Sequence, residues 1–193
     1  MWELFPTKIK FGLSAITSIS IFYLVNQIFS VTLATAFSYT LTIITCLAWL
    51  FGKFLWKPFY CAYFQKKFCP NFNGTWNCRV ASNYEEGKVV EFPLSIEADF
   101  FSIKMKATTS IGNSFSNYCR VIRNPDDSFQ LEYIFQAKNH SPTETDTVFY
   151  EGAASLRVED VDTMKMEGVF WTNRCWHKKM NTAGKIELVK KQD

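Results

Sequence analysis

Charged side chains are absent from one long stretch of this sequence: no Asp, Glu, Lys or Arg lies between Phe11 and Gly52. The stretch is about twice the ~20 apolar residues that one helix needs to cross the hydrocarbon core of a bilayer. Small and hydroxyl residues interrupt its Ile, Leu and Phe pattern near Val31–Ala36. The sequence therefore predicts two membrane-spanning helices, roughly Phe11–Leu33 and Phe37–Phe59, since lipid admits only elements whose backbone groups are satisfied internally.

The sequence also contains little of the chemistry that enzymes use. Only two histidines are present, His140 and His177, and both lie in predicted loops. No Gly-x-Ser-x-Gly, Gly-x-x-x-x-Gly-Lys-Ser/Thr, His-Glu-x-x-His or Cys-x-x-Cys motif occurs. The adjacent carboxylates Asp126–Asp127 and Glu159–Asp160 are typical of solvated turns, because neighbours on a strand end point in opposite directions. We therefore expect no catalytic residues and no enzymatic activity.

The cysteines form neither a metal-binding pattern nor an obvious disulfide framework. Six are present, and the closest two, Cys61 and Cys69, flank a basic stretch without the spacing of a zinc site. Thiols stay reduced in the cytosol, where the topology below places the rest of the chain. We expect free thiols, no metal and no cofactor.

Basic residues flank the uncharged stretch on both sides, whereas the turn between the predicted helices has none. Lys8 and Lys10 precede the stretch, and Lys53 and Lys57 end or follow it. By the positive-inside rule, both termini are predicted to be cytoplasmic. A cleaved signal peptide does not fit, because the first span is too long, lacks a small-residue cleavage site and is followed by a second span. Residues 1–68 are thus predicted to form a transmembrane hairpin with a basic junction.

The junction, Phe54–Phe68, is rich in aromatic and basic residues. We predict that it continues as the helix leaving the membrane, with its lysine side chains reaching the surface. Pro58 lies inside this segment, so a kink is expected there.

The hydrophobic period changes from helical to two after Phe72. In the first predicted strand, for example, Trp76, Cys78 and Val80 share one face. Eight candidate strands follow, of which the fourth has the least regular alternation. They are Thr75–Ser82, Val90–Ala98, Ile103–Ala107, Ser114–Arg123, Phe129–Ala137, Thr147–Val158, Thr163–Asn173 and Lys185–Lys190.

Polar turn clusters at nearly regular intervals separate these strands, and no helical crossover is predicted. Eight short strands joined by hairpins indicate an antiparallel meander, whose edges disappear if the sheet closes. The predicted fold class is a membrane α hairpin plus an all-β domain. Two N-terminal transmembrane helices precede a small eight-stranded antiparallel up-and-down β-barrel over residues 69–193. A β-sandwich is the alternative.

Strand ends alternate between two mouths in such a barrel. The mouth next to the membrane is predicted to hold Arg123–Asp127 and Glu159–Asp162. The longer loops collect at the distal mouth, and longer loops more often carry function. They are Asn83–Gly87, Ser110–Asn113, Asn139–Thr145 and Asn173–Gly184.

A basic and aromatic run, Val169–Lys179, crosses the distal mouth. Trp171 could stack on a base, Asn173 could hydrogen-bond a base edge, and Arg174 could pair with phosphate. Six ligand-binding residues are predicted: Tyr118, Arg120, Tyr133, Trp171, Asn173 and Arg174. Of these, Tyr118, Arg120 and Tyr133 could extend polar tips into the barrel interior. A strand end with an exposed basic loop, together with ordinary core tyrosines, explains the same residues without a ligand. The alternation around Arg120 also allows this side chain to point outward.

The order of parts is a short cytosolic start, two spans, a basic junction and a minimal barrel that opens with Asn73-Gly-Thr-Trp76. This order resembles the two-transmembrane β-barrel effectors of bacterial cyclic-oligonucleotide antiphage signalling (CBASS), which are associated with cGAS/DncV-like nucleotidyltransferases (CD-NTases). The resemblance implies that a CD-NTase makes a cyclic dinucleotide and that the barrel binds it. The resemblance also implies that the protein then oligomerises and disrupts the bacterial inner membrane, so that the infected cell dies.

The partners implied by this resemblance are the cyclic dinucleotide, membrane lipid and further copies of the chain, with no DNA or RNA. A different class of function also fits the sequence. The protein could be a constitutive membrane-tethered binding or scaffold protein, with a lipid or a partner protein in the barrel. The basic and aromatic run Trp171–Lys179 favours a dianionic ligand over a lipid.

Overall fold

Helices form the first third of the chain, and strands form the rest. A computed structural model describes residues 1–83, 88–109, 111–142 and 146–191. The predicted turns Asn83–Gly87, Ser110–Asn113 and Asn139–Thr145 lie partly outside these residues. The helical elements are a 3₁₀ turn at Trp2–Leu4, α1 (Thr7–Phe29), α2 (Leu33–Leu50), a π-helical continuation at Phe51–Leu55, a 3₁₀ turn at Lys57–Phe59, and α3 (Ala62–Lys67). The strands are β1 (Gly74–Ser82), β2 (Val89–Ala98), β3 (Ile103–Thr108), β4 (Gly112–Arg123), β5 (Phe129–Asn139), β6 (Phe149–Asp160), β7 (Lys165–Thr172) and β8 (Ala183–Lys190).

The predicted pair of long apolar helices is confirmed, although both helices begin about one turn earlier than predicted. Both are long and apolar enough to cross a membrane. Local capping sets their ends: Ser30 ends α1 in a left-handed conformation with φ of 45°. Thr32 begins α2, and its Oγ1 atom accepts a hydrogen bond from Thr35 N at 3.4 Å. The spans were predicted from the absence of charged residues, and this feature carries no information about the capping residues that set the helix ends.

The prediction of a continuous helix over Phe54–Phe68 is wrong. The chain passes through a π-helical segment and a 3₁₀ turn, and then becomes extended at Cys61 before α3 begins. Pro58, where a kink was expected, lies in the 3₁₀ turn. Proline lacks the backbone N–H that a regular helix needs at this position.

The eight predicted strands are confirmed as a closed antiparallel barrel in which each strand pairs with its neighbour along the chain. β1 also pairs with β8, in a register from Trp76↔Lys190 to Ser82↔Gly184. This last ladder closes the sheet and excludes the β-sandwich alternative.

A β-bulge explains why the fourth strand alternates poorly. The pairing of β4 with β5 shifts between Ser116 and Tyr118, so one extra residue lies between them. Ser116 remains on the inner side, where its Oγ atom accepts a hydrogen bond from Met105 N at 2.8 Å. Tyr118 lies on the outer surface and is 47% exposed. Its predicted place inside the barrel is therefore wrong.

The barrel interior changes character from one end to the other. The half nearer the helices is filled by large apolar side chains with almost no exposure: Trp76, Leu131, Leu156, Met166 and Leu188. Burying such a side chain contributes about 1.5–3 kcal/mol each. Phe72 closes this end, and its carbonyl accepts a hydrogen bond from Trp76 Nε1 at 2.9 Å. Smaller or polar residues replace them in the distal half: Ser114, Ala137, Tyr150 and Thr172. The packed base therefore leaves space above it.

All six cysteines are free, as predicted. Cys69 and Cys78 belong to the packed base of the barrel. Burial raises the pKa of Cys78 to about 12, so its thiol is protonated at neutral pH and acts as a small apolar side chain.

Candidate functional site

A cavity of about 740 Å³ fills the distal half of the barrel. Its volume lies in the range of about 300–1,000 Å³ that is usual for small-molecule sites. Inward-facing residues from several strands supply its aromatic and polar groups: Tyr133, Phe135, Tyr150, Phe170, Thr172 and Arg174. The cavity is therefore mostly apolar, with a few polar groups that could orient a ligand.

Close packing on one wall depends on a glycine. A Cβ atom added at Gly152 would lie 2.5 Å from the ring of Phe135, which is too close for non-bonded carbon atoms. Phe135 in turn packs on Tyr133, with ring centroids 5.8 Å apart. Burial raises the pKa of Tyr133, so this residue offers a neutral phenol to the cavity.

Arg174 carries the positive charge of the cavity wall. Its Nε atom donates a hydrogen bond to Asp146 Oδ1 at 2.7 Å, and its Nη2 atom donates to Asp146 Oδ2. Its guanidinium carbon lies 5.2 Å from the ring centroid of Tyr150, a cation–π contact. Asp146 thus occupies one edge of a guanidinium that has five N–H donors in all. Among the described residues, Asp146 is the only carboxylate that pairs with Arg174, so the second edge of the guanidinium could bind another anion.

Asp146 is itself firmly held. Asn139 Nδ2 donates to its Oδ2 atom at 2.7 Å, and Thr147 N donates to its Oδ1 atom at 2.8 Å. The Cys175 thiol also lies within 3.6 Å of Oδ1. Hydrogen bonding from the Arg174 guanidinium lowers the pKa of Asp146 to about 2. The ion pair is therefore fully charged at neutral pH, and it fixes the direction of the guanidinium.

The chain reverses direction just after β7, and this turn aims Arg174 inward. Asn173 Oδ1 accepts a hydrogen bond from Glu151 N at 2.7 Å, which fastens the turn to β6. Arg174 N donates to Thr172 Oγ1 at 3.3 Å. Cys175 then adopts a left-handed conformation with φ of 50°. The backbone of the turn, and not the side chain alone, directs the charge into the cavity.

The structure brings only some of the six predicted site residues together. Tyr133 and Arg174 both line the cavity, and Asn173 lies at its rim. Tyr118, Arg120 and Trp171 lie on the outer surface of the barrel, and Trp171 is 50% exposed. Their role as ligand contacts stays a prediction, which requires the ligand to extend beyond the rim.

Two polar residues of the site were not predicted from the sequence. Asp146 is separated from Arg174 by 28 residues along the chain, and Asn139 lies in a cluster that was interpreted only as a turn. Their joint position depends on the register of β5 and β6, which pairs Lys138 with Phe149. No local pattern reports such a contact. The described residues contain no group of His, Cys, Asp and Glu side chains that could hold a metal ion.

Comparison with known proteins agrees with this architecture. The family model for the Cap15 cyclic dinucleotide receptor domain matches residues 67–190. The chain is also 57% identical over 190 residues to CD-NTase-associated protein 15 of Escherichia albertii, with 98% of each chain covered. This confirms the resemblance to CBASS effectors that the order of parts suggested. The chain therefore belongs to the Cap15 family of CD-NTase-associated proteins.

Proposed function

We propose that the distal cavity binds a cyclic dinucleotide and that binding leads the protein to breach the bacterial inner membrane. The observation that carries the proposal is Arg174, held in the wall of an aromatic cavity with one edge of its guanidinium engaged by Asp146. Arginine pairs bidentately with phosphate oxygens through such an edge. The matched family is described as a receptor domain for this ligand class.

The remainder of the cavity suits the bases of such a ligand. Tyr150, Phe135 and Phe170 line it, and stacking of a base on an aromatic ring contributes about 1–3 kcal/mol. Burial raises the pKa of Tyr150 as well as that of Tyr133. Both phenols therefore remain neutral hydrogen-bonding groups and add no negative charge against the phosphates.

The helical hairpin is the part that acts on the membrane. Its two helices leave their apolar side chains uncovered, among them Ile16, Leu24, Phe37 and Leu41, which is the surface that lipid requires. The basic residues at both ends favour cytoplasmic termini and a cytoplasmic barrel. Two helices cannot enclose an aqueous path, so several copies must assemble for any breach.

A direct connection joins the barrel to the hairpin at the turn between β2 and β3. Asp99 in this turn pairs with Lys53 at the end of the second long helix, at 2.8 Å. Phe100 N donates to Gly52 O at 3.2 Å, and Trp2 N donates to Phe100 O at 2.9 Å. β2 and β3 also line the cavity. A conformational change of β2 and β3 on ligand binding can therefore be transmitted to the hairpin through direct contacts.

The proposal is tested by titration calorimetry on the full-length protein in nanodiscs. Cyclic dinucleotides of different base composition are compared with a linear dinucleotide and with extracted lipid. We expect at least one cyclic dinucleotide to bind and the other two classes to fail. If none of the cyclic dinucleotides binds, the proposed function is wrong. Lipid binding alone would favour the membrane-tethered scaffold.

The same titration tests the position of the site. Arg174→Ala removes a charge-assisted hydrogen bond, so affinity should fall by about tenfold or more, or roughly 1.5–3 kcal/mol. Arg157→Ala is the matched control, because Arg157 also pairs with an aspartate, Asp126, but at the opposite mouth. Equal affinities of the two variants would place the ligand outside this cavity.

A further inference from the structure

The junction Phe54–Phe68 is only partly covered by the barrel. Trp56 is buried, and its ring centroid lies 5.0 Å from that of Tyr60 and 6.3 Å from that of Phe100 in the turn between β2 and β3. The Tyr60 hydroxyl donates a hydrogen bond to Cys69 O. A second set of large side chains is left without cover, and we call it the uncovered set: Phe54, Leu55, Tyr63 and Phe64, which are between 47% and 64% exposed.

The junction crosses beneath the barrel, at the level where the uncharged stretch ends. Lys53, the first charged residue after that stretch, pairs with Asp99 at 2.8 Å. Near the other end of the junction, Lys66 pairs with Asp162 at 2.8 Å. Asp99 lies in the turn between β2 and β3, and Asp162 lies in the turn between β6 and β7, on the opposite side of a closed ring of eight strands. The chain therefore follows the base of the barrel after the second long helix.

Lipid is the occupant that fits the uncovered set. Phe54 packs on Trp49 of α2, with ring centroids 5.9 Å apart, and Trp49 is itself 59% exposed. The uncovered set is thus continuous with the apolar surface of a helix that is long and apolar enough to span a membrane. Aromatic side chains favour the headgroup layer of a bilayer, where one part of the ring system is apolar and another is wet.

Lysine side chains lie among these aromatic residues. Lys57 and Lys67 are exposed, and in the described part of the chain neither pairs with a carboxylate. The Lys67 ammonium lies 5.7 Å from the ring centroid of Tyr63, so charge and aromatic ring occupy the same place. Long lysine side chains extend to the headgroups while their stems stay in apolar surroundings. Basic residues next to a membrane helix attract anionic lipids.

We infer that the junction lies in the cytoplasmic headgroup layer, with the uncovered set among the lipids and with Lys57 and Lys67 on anionic phospholipid headgroups. The inference rests on insertion of the hairpin in the membrane, which is part of the proposed function, and it requires no nucleotide. It gives the barrel a fixed height and direction: its base rests on the lipid, and its cavity opens away from the membrane.

Fluorescence quenching by brominated lipid tests the placement. Full-length protein with Cys46 and Cys61 replaced by serine is labelled with bimane at Phe64→Cys and reconstituted in nanodiscs whose acyl chains carry bromine. We expect loss of fluorescence, because the label lies among the lipids. Val89→Cys is the matched control, since Val89 and Phe64 are both 47% exposed but Val89 lies at the distal end of β2. Its label should keep its fluorescence.

A label on Cys46 separates this inference from the proposed function. Cys46 is exposed and lies within α2, so bimane at this position, in protein with Cys61→Ser, is quenched if the hairpin is inserted. Absence of quenching at Cys46 overturns the membrane placement that the proposed function requires. Quenching at Cys46 together with unquenched Phe64→Cys overturns the present inference alone.

The choice of lipid is tested with the same Phe64→Cys label. Nanodiscs contain equal amounts of phosphatidylglycerol and phosphatidylcholine, and only one of the two is brominated. We expect stronger quenching by brominated phosphatidylglycerol. A lysine near an anionic surface contributes up to about a fivefold preference, so Lys57→Gln should weaken the preference by up to that factor. Lys185→Gln, at the distal end of β8, should leave it unchanged. Equal quenching by the two lipids overturns the assignment of anionic headgroups as the partner.

Discussion

At the scale of single residues, the site depends on one charge and on the groups that hold it. The position of Arg174 at the distal mouth was predictable, because the strand order brings the end of β7 there; its contact with phosphate stays a prediction. Asp146 was not predictable, since its contact with Arg174 depends on how the segment before β6 lies against the turn after β7. Residues 28 positions apart leave no common local pattern in the sequence.

Loss of Asp146 should destabilise the protein even without ligand. Asp146→Asn leaves Arg174, which is only 30% exposed, without its anionic partner, and we expect a loss of about 1–3 kcal/mol. Asp126→Asn is the control, because its pair with Arg157 is exposed at 54% and 52% and should contribute much less stability. Thermal unfolding of both variants measures the difference. Equal losses of stability in the two variants would mean that the buried ion pair contributes no more than the exposed one.

The same pair predicts how stability depends on pH. The folded pKa of Asp146, about 2, lies below its usual value of 3.8. Because folding lowers this pKa, the ion pair contributes its full stability at pH values above 3.8. This stability is lost as the pH falls through the folded pKa. Wild-type protein should therefore exceed Asp146→Asn in stability at pH 5, and the two should converge towards pH 2. A constant difference from pH 5 to pH 2 would contradict the assigned ion pair.

At the scale of elements, the turn between β2 and β3 joins the barrel to the second long helix. Asp99 Oδ1 accepts hydrogen bonds from Phe101 N at 2.9 Å and Ser102 N at 2.7 Å, and Oδ2 accepts one from Lys53. Phe100 packs on Phe51 of the hairpin, with ring centroids 4.9 Å apart. A Cβ atom at Gly52 would lie 2.4 Å from the ring of Phe101. Close approach at this point thus requires glycine.

Replacing Asp99 should separate ligand binding from membrane damage. Asp99→Ala removes both the support of the turn and its link to Lys53, so the barrel should bind nucleotide within about threefold of wild type while membrane leakage falls. Asp126→Ala is the matched control, because Asp126 supports the turn after β4 in the same way, but its partners among the described residues, Ser128 and Arg157, belong to the barrel. Titration calorimetry measures the nucleotide affinity of both variants, and dye leakage from vesicles measures the membrane damage that each causes. Equal leakage would remove this turn from the coupling path.

The elements themselves were largely predictable, and the misses have local causes. Alternation identifies strands because one face of each is buried, and it located all eight of them. It failed inside β4, where a bulge after Ser116 turned Tyr118 outward. It also could not locate helix ends, which depend on caps such as Thr32. The segment after Leu50 was misread because its composition is helical, whereas Pro58 and the contacts with the barrel break it.

At the scale of the whole molecule, the order of parts was the most informative feature of the sequence. An uncharged stretch, a basic junction and a period-two segment suffice to predict a hairpin followed by a barrel. The division at residues 68 and 69 stays a prediction, and several contacts cross it: Met1 and Leu4 pack against the barrel core, and Lys53 pairs with Asp99. The hydroxyl groups of the helices are partly engaged within their own helix, for example Thr40 with Ala36 O at 2.7 Å.

Leakage of a trapped dye from vesicles that contain the full-length protein tests the central claim most directly. The cyclic dinucleotide that binds most tightly in calorimetry is added to wild-type protein, to Arg174→Ala and to Arg157→Ala. The account predicts rapid leakage of wild-type and Arg157→Ala vesicles only after the nucleotide is added, and little leakage of Arg174→Ala vesicles at the same concentration. Leakage that is the same with and without nucleotide, or the same in Arg174→Ala as in wild type, would contradict it.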